Sequence, residues 1–99
     1  MRTVSIFGAT GSVGTSTLDL IARQPDAFEV VALTANGDVE KLAAAARATG
    51  ARIAVIADES RYAALRDALA GTGVEAAAGE AALVDAARAG ADWTMAAIV

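Results

Sequence analysis

The stretch Val4-Ser5-Ile6-Phe7-Gly8-Ala9-Thr10-Gly11-Ser12-Val13-Gly14 constrains this chain more than any other. An apolar run leads into three glycines spaced G-x-x-G-x-x-G, and an amphipathic segment follows. That pattern predicts a buried strand, a tight turn and a helix, the arrangement that cradles a dinucleotide pyrophosphate. Gly8 lets the chain leave the strand without a Cβ clash. Gly11 allows close approach of backbone to a pyrophosphate, and Gly14 allows the new helix to pack tightly on the sheet. Free N–H groups of the first helical turn, aligned with the helix dipole, face an anion. The Thr10 and Ser12 hydroxyls can add bonds to phosphate oxygens. Without its flanking segments, the same spacing would indicate no more than a glycine-rich strand-to-helix turn.

The rest of the chain is consistent with a small α/β domain. Its 99 residues are 56% hydrophobic but only 4% aromatic, so the core must be built from Ala, Val, Leu and Ile. Eight basic and 12 acidic side chains leave a net charge of −4. An acidic chain with no basic cluster argues against nucleic acid as a partner. There is no cysteine and no histidine, which removes disulfides, thiolate sites and imidazole chemistry. Met1-Arg2-Thr3 enters the first strand directly, so a soluble cytoplasmic protein with no membrane partner is expected.

Strands are expected at about 3–7, 28–33, 52–57, 74–78 and 94–98. Helices are expected at 12–23, 39–49, 58–70 and 80–89. Pro25 marks the exit of the first helix. Thr34 to Gly37 is expected to be a loop, Asp38 the N-cap of the second helix and Gly50 its stop. Strict alternation of strand and helix predicts a Rossmann-like, doubly wound parallel sheet with right-handed crossovers. The expected strand order is 74–78, 52–57, 28–33, 3–7, 94–98. This places the ligand crevice at the glycine turn, where the order reverses. Residues 1–99 form one dinucleotide-binding domain. The chain stops on the apolar Met95-Ala96-Ala97-Ile98-Val99, and native domains seldom end inside a buried strand. The sheet is therefore expected to be truncated after its fifth strand, with weak stability or association in isolation.

Several segments together resemble the amino-terminal part of the 1-deoxy-D-xylulose 5-phosphate reductoisomerase family. They are Gly8-Ala9-Thr10-Gly11-Ser12-Val13-Gly14-Thr15-Ser16-Thr17-Leu18-Asp19, Pro25-Asp26-Ala27-Phe28-Glu29-Val30-Val31-Ala32-Leu33-Thr34-Ala35, Val39-Glu40-Lys41-Leu42, Ala57-Asp58-Glu59 and the terminal Met95 to Val99. The resemblance implies an NADPH-dependent enzyme of the non-mevalonate isoprenoid pathway. It would convert 1-deoxy-D-xylulose 5-phosphate to 2-C-methyl-D-erythritol 4-phosphate with Mg²⁺ or Mn²⁺, as a homodimer. It also implies cofactor contacts at Thr10, Gly11, Ser12 and Val13 and at Asn36, Gly37 and Asp38.

In that second loop the chain departs from the family, which places Gly, then Lys or Arg, then Asn where this sequence has Asn36-Gly37-Asp38. The basic residue expected to face the 2′-phosphate is missing. Thr34, however, stands where an NAD-specific site would carry an acid. NADPH held by Thr34 and Asn36, with Lys41 as a distant cation and Asp38 as a cap, is the expectation. Asp19, Asp58, Glu59 and Asp85 fall on helix faces or caps. No catalytic residue and no metal ligand is assigned within the chain. The family's metal carboxylates are expected beyond Val99. Other Rossmann enzymes with a Gly-Ala-Thr-Gly opening, namely semialdehyde dehydrogenases and extended short-chain reductases, remain alternatives, as does a non-catalytic nucleotide-binding module.

Overall fold

A computed structural model of the chain describes residues 2–9, 12–24, 26–88 and 91–96. Five strands alternate with four α-helices: β1 (Arg2–Phe7), α1 (Ser12–Ala22), β2 (Phe28–Ala35), α2 (Val39–Thr49), β3 (Ile53–Ile56), α3 (Tyr62–Ala68), β4 (Glu75–Ala78), α4 (Glu80–Ala87) and β5 (Trp93–Ala96). Every strand pairing is parallel, and the sheet order is β4-β3-β2-β1-β5. This is the expected Rossmann-like order. The chain steps outward from β1 through β2, β3 and β4, then returns to the other side of β1 as β5. No described helix is long and apolar enough to cross a membrane.

The element boundaries differ from expectation most at four elements, and by a single residue at several others. β2 continues through Thr34 and Ala35 because both still find partners, Thr34 opposite Phe7 and Val55, and Ala35 opposite Ile56. β3 covers only the four residues that pair on its flanks. The helix expected over 58–70 is divided into a 3-10 turn at Glu59–Arg61 and α3. α4 ends at Ala87. Pro25, Gly90 and residues 97–99, expected to end a helix, stop another and continue the last strand, lie outside the described residues.

A change of phase within β2 separates the two sides of the sheet. Val4 stands opposite Val30, but Ser5 stands opposite Ala32, so Val31 is one residue more than β1 can match. Side chains alternate faces along a strand, so an extra residue inverts the phase of everything after it. Val30, Leu33 and Ala35 therefore join one core, with Leu18 and Ile21 of α1, Leu42 and Ala46 of α2, and Leu65 of α3. Val31 and Ala32 join the other, with Ala82, Leu83 and Ala86 of α4. Thr34 is left on the parity opposite to Leu33. Small residues in both layers let the helices sit close to the sheet, which compensates for the scarcity of aromatics.

Two acids order the helix starts on the second and third crossovers. Asp38 caps α2 through Oδ1, which accepts from Lys41 N at 3.1 Å. Gly50 closes α2 at φ 68°, and its N–H donates to the Ala46 carbonyl at 2.9 Å. Asp58 Oδ1 accepts from both Ser60 N (3.0 Å) and Ser60 Oγ (2.5 Å). These bonds, and secondarily the Arg61 guanidinium, hold the Asp58 carboxyl below the ordinary carboxylate range.

Three outcomes follow from this architecture. Leu65 is fully buried, so Leu65→Ala is expected to cost about 3 kcal/mol in chemical denaturation. Deleting Val31 restores one-to-one pairing with β1 and leaves Ala32, Leu33 and Ala35 on the faces they already occupy. A cooperative thermal transition is expected to survive the deletion, and its loss would refute the phase assignment. Because the carboxyl of Asp58 is favoured in its charged form by folding, its contribution is complete above its unfolded pKa and fades as pH falls through the lower folded value. Asp58→Asn should therefore be less stable than wild type at neutral pH. The difference should narrow below about pH 4 in melts taken across an acid series.

Candidate functional site

The carboxyl ends of β1, β2 and β3 are joined into one edge by backbone hydrogen bonds. Gly8 N donates to the Thr34 carbonyl (3.2 Å), as does Ala9 N (2.8 Å), and Gly8 N also lies 3.1 Å from Thr34 Oγ1. Ala57 N donates to the Ala35 carbonyl (2.8 Å), and Asp58 N to the Asn36 carbonyl (3.0 Å). The turn after β1, the turn after β2 and the turn after β3 are thus tied in series. Gly8 adopts φ 83°, a conformation that favours glycine and turns the chain out of β1.

α1 begins at Ser12 and has no acidic residue in its first turn, so its amino end is compatible with an anion. Ser12 and Val13 open this helix, and Gly14 follows within it. Thr10 and Gly11, together with the side chains of Ser12 and Val13, lie outside the described residues. Asn36 is exposed, Gly37 half-buried and Asp38 exposed, all on the loop between β2 and α2. The structure thus brings the beginning of the glycine turn and the second loop to the same edge of the sheet.

Thr34 does not have the role expected of it. It is 3% exposed, and its hydroxyl is engaged by Gly8 N. It supports the glycine turn from below and presents no hydroxyl to a ribose. Lys41 also serves the loop itself. Its N–H bonds Asp38, and its ammonium lies 4.0 Å from Asp38 Oδ2. Asp38 behaves as the cap that was expected.

Sequence reasoning missed Arg61. The side chain leaves the 3-10 turn after β3 and lies against the loop after β2. A methyl carbon built on Gly37 would stand 3.5 Å from Arg61 Nε and 3.8 Å from its Cδ. Arg61 Nε also pairs with Asp58 Oδ2 at 3.3 Å. Between the start of α2 and α3 these groups border a groove of about 690 Å³, lined by Gly37, Asp38, Glu40, Arg61, Ala64 and Ala68. That volume is in the range of small-molecule sites. The available signal was the position of Arg61, a cation placed just after the third strand, where a Rossmann sheet brings the second and third loops together.

Among the described residues, no cluster of three or more acidic side chains is placed to hold a metal ion. Asp19 pairs with Arg23 on the exposed surface of α1 at 3.1 Å, and Asp58 serves as a cap.

Comparison with known proteins agrees with this geometry. The family model for 1-deoxy-D-xylulose 5-phosphate reductoisomerase matches residues 4–99. The enzyme of that name from Zymomonas mobilis is 63% identical over 98 residues, covering 99% of this chain and 25% of the relative. That from Ruegeria pomeroyi is 60% identical over 99 residues, covering all of this chain and 25% of the relative. The chain therefore spans about a quarter of the length of the curated relatives it matches. The solved structure of the Zymomonas mobilis enzyme in complex with NADPH superposes with a TM-score of 0.96 at 64% identity, covering 98% of this chain and 26% of that one. A reductoisomerase solved with NADPH, fosmidomycin and magnesium superposes at 0.90 and 32% identity, covering 99% of this chain and 24% of that one. With its glycine turn, strand order and nearly full-length match in agreement, this chain belongs to the 1-deoxy-D-xylulose 5-phosphate reductoisomerase family.

Proposed function

We propose that this chain is the NADPH-binding part of a reductoisomerase that converts 1-deoxy-D-xylulose 5-phosphate to 2-C-methyl-D-erythritol 4-phosphate. Residues 1–99 act as its dinucleotide-binding domain. The pyrophosphate lies at the turn of Thr10, Gly11, Ser12 and Val13, and the adenosine ribose lies at Asn36, Gly37 and Asp38. The observation that carries this reading is the hydrogen-bonded edge Gly8–Thr34–Asn36–Asp58, which sets the start of the glycine turn beside the second loop at the switch point of a parallel sheet.

The chemistry divides accordingly. NADPH, when bound, supplies the hydride for the reductive step. The chain's own residues bind and orient it. The amino end of α1 offers unpaired N–H groups and a favourable dipole to the pyrophosphate. Thr34 holds Gly8 and Ala9, which lowers the cost of ordering that part of the turn on binding. Asp38, engaged by the first turn of α2, shapes the second loop without needing the nucleotide. Carbon rearrangement, the Mg²⁺ or Mn²⁺ that assists it and the pairing of two subunits belong to residues outside this stretch, in a cytoplasmic homodimer. Support for the metal comes from relatives solved with magnesium.

The test is NADPH binding by the full chain, followed through the fluorescence of the reduced nicotinamide. Saturable binding is expected. Gly8→Ala should weaken it by roughly tenfold, since an L-residue at φ 83° is strained by about 1–2 kcal/mol and shifts the turn. Absence of binding by protein whose circular dichroism shows the folded α/β signal would overturn the reading.

A further inference from the structure

We infer that Arg61 is the residue that recognises the 2′-phosphate of the cofactor, and so sets the preference for NADPH over NADH. This rests on the NADPH-binding reading above and adds to it the residue that distinguishes the two nucleotides. In a Rossmann domain the ribose of the adenosine half lies at the end of the second strand, and a nearby arginine is the usual way to accept a 2′-phosphate. Here the loop at that place has no cation of its own, because its central residue is Gly37. The guanidinium comes instead from the neighbouring turn, with Nε and Cδ of Arg61 in van der Waals range of a Cβ at position 37.

Two features suit this side chain to the task. Its bond to Asp58 Oδ2 uses Nε and fixes the direction of the guanidinium. Among the described residues no acceptor engages its two terminal amino groups, which are the pair that grips a phosphate bidentately. Asp58 is itself held by Ser60 N and Oγ, so the support is rigid. Of the acids nearby, Glu40 also lines the groove, while two others are engaged. Asp38 is committed to Lys41 N and the Lys41 ammonium, and Asp58 to Ser60 and Arg61. The side chain of Arg61 is 55% exposed and lies on the rim of the 690 Å³ groove, within reach of a ligand.

The arrangement also implies an exchange. Gly37 has no positive φ, and a Cβ there would meet Arg61 at ordinary van der Waals distance, so a cation at position 37 would extend beside Arg61. One position or the other can supply the charge.

The test uses the full chain and titrates NADPH, NADH and the fragment 2′,5′-ADP against wild type, Arg61→Gln, Arg61→Lys and the double variant Gly37→Lys/Arg61→Gln. Arg61→Gln should lose roughly 10- to 100-fold in affinity for NADPH and 2′,5′-ADP while NADH is unchanged. Arg61→Lys should recover part of the loss, and the Gly37→Lys/Arg61→Gln variant should recover more. An Arg61→Gln protein that still prefers NADPH by the wild-type ratio overturns the inference and leaves the NADPH reading standing. Wild type that binds NADPH and NADH equally overturns the inference too. Wild type that binds neither nucleotide while folded overturns both.

Discussion

Thr34 accepts from the first two amides beyond β1, and the recognition edge depends on those bonds. A parallel sheet leaves the carboxyl ends of its strands with unsatisfied groups, and buried backbone must find partners. Here the carbonyl of Thr34 takes Gly8 N and Ala9 N, and its hydroxyl takes Gly8 N as well. Gly8 and Ala9, the start of the turn, are therefore held by β2. The next two carbonyls along, those of Ala35 and Asn36, do the same for Ala57 and Asp58. Three loops that are far apart in the chain become one surface because each rests on the strand beside it.

The opposite edge of the sheet adds side-chain contacts to its backbone bonds. Thr3 and Asp92 exchange bonds, Thr3 N to Asp92 Oδ2 at 3.1 Å and Asp92 N to Thr3 Oγ1 at 2.9 Å, which joins the starts of β1 and β5. Arg52 reaches Glu29 from the start of β3, with Nε to Oε1 at 2.8 Å. These are exposed polar contacts of modest worth. They supplement backbone bonds at the same edge, from Arg2 N to the Ala27 carbonyl (3.1 Å) and from Glu75 N to the Arg52 carbonyl (3.0 Å). Side-chain contacts at the amino edge can vary without moving the ligand crevice.

Much of this was legible beforehand, and particular residues explain what was not. Alternation of apolar runs with alanine-rich amphipathic runs identified the class and the strand order, because right-handed crossovers leave few alternatives. Asp38 and Gly50 marked the ends of α2 by chemistry that acts within a few residues. Val31 escaped notice, since it is one more valine in an apolar run and only pairing with β1 reveals it as extra. Thr34 falls in the strand because Phe7 and Val55 on neighbouring strands still pair with it. Arg61 escaped because its relation to Gly37 crosses from one loop to another, and no local spacing encodes that contact. What lies within one element was readable. What depends on the register between elements was not.

β2 is flanked by β1 on one side and β3 on the other, and it contributes to both cores. β4 is at the margin, and α3 is a short helix beside it. Local opening begins where few buried contacts resist it, so amides at the margin exchange with solvent before those at the centre. The glycine turn is fastened to the central strand, whereas Arg61 belongs to the segment that joins β3 to α3. On the proposed reading, the residue that discriminates between nucleotides and the strand that carries the start of the turn lie at different distances from that margin.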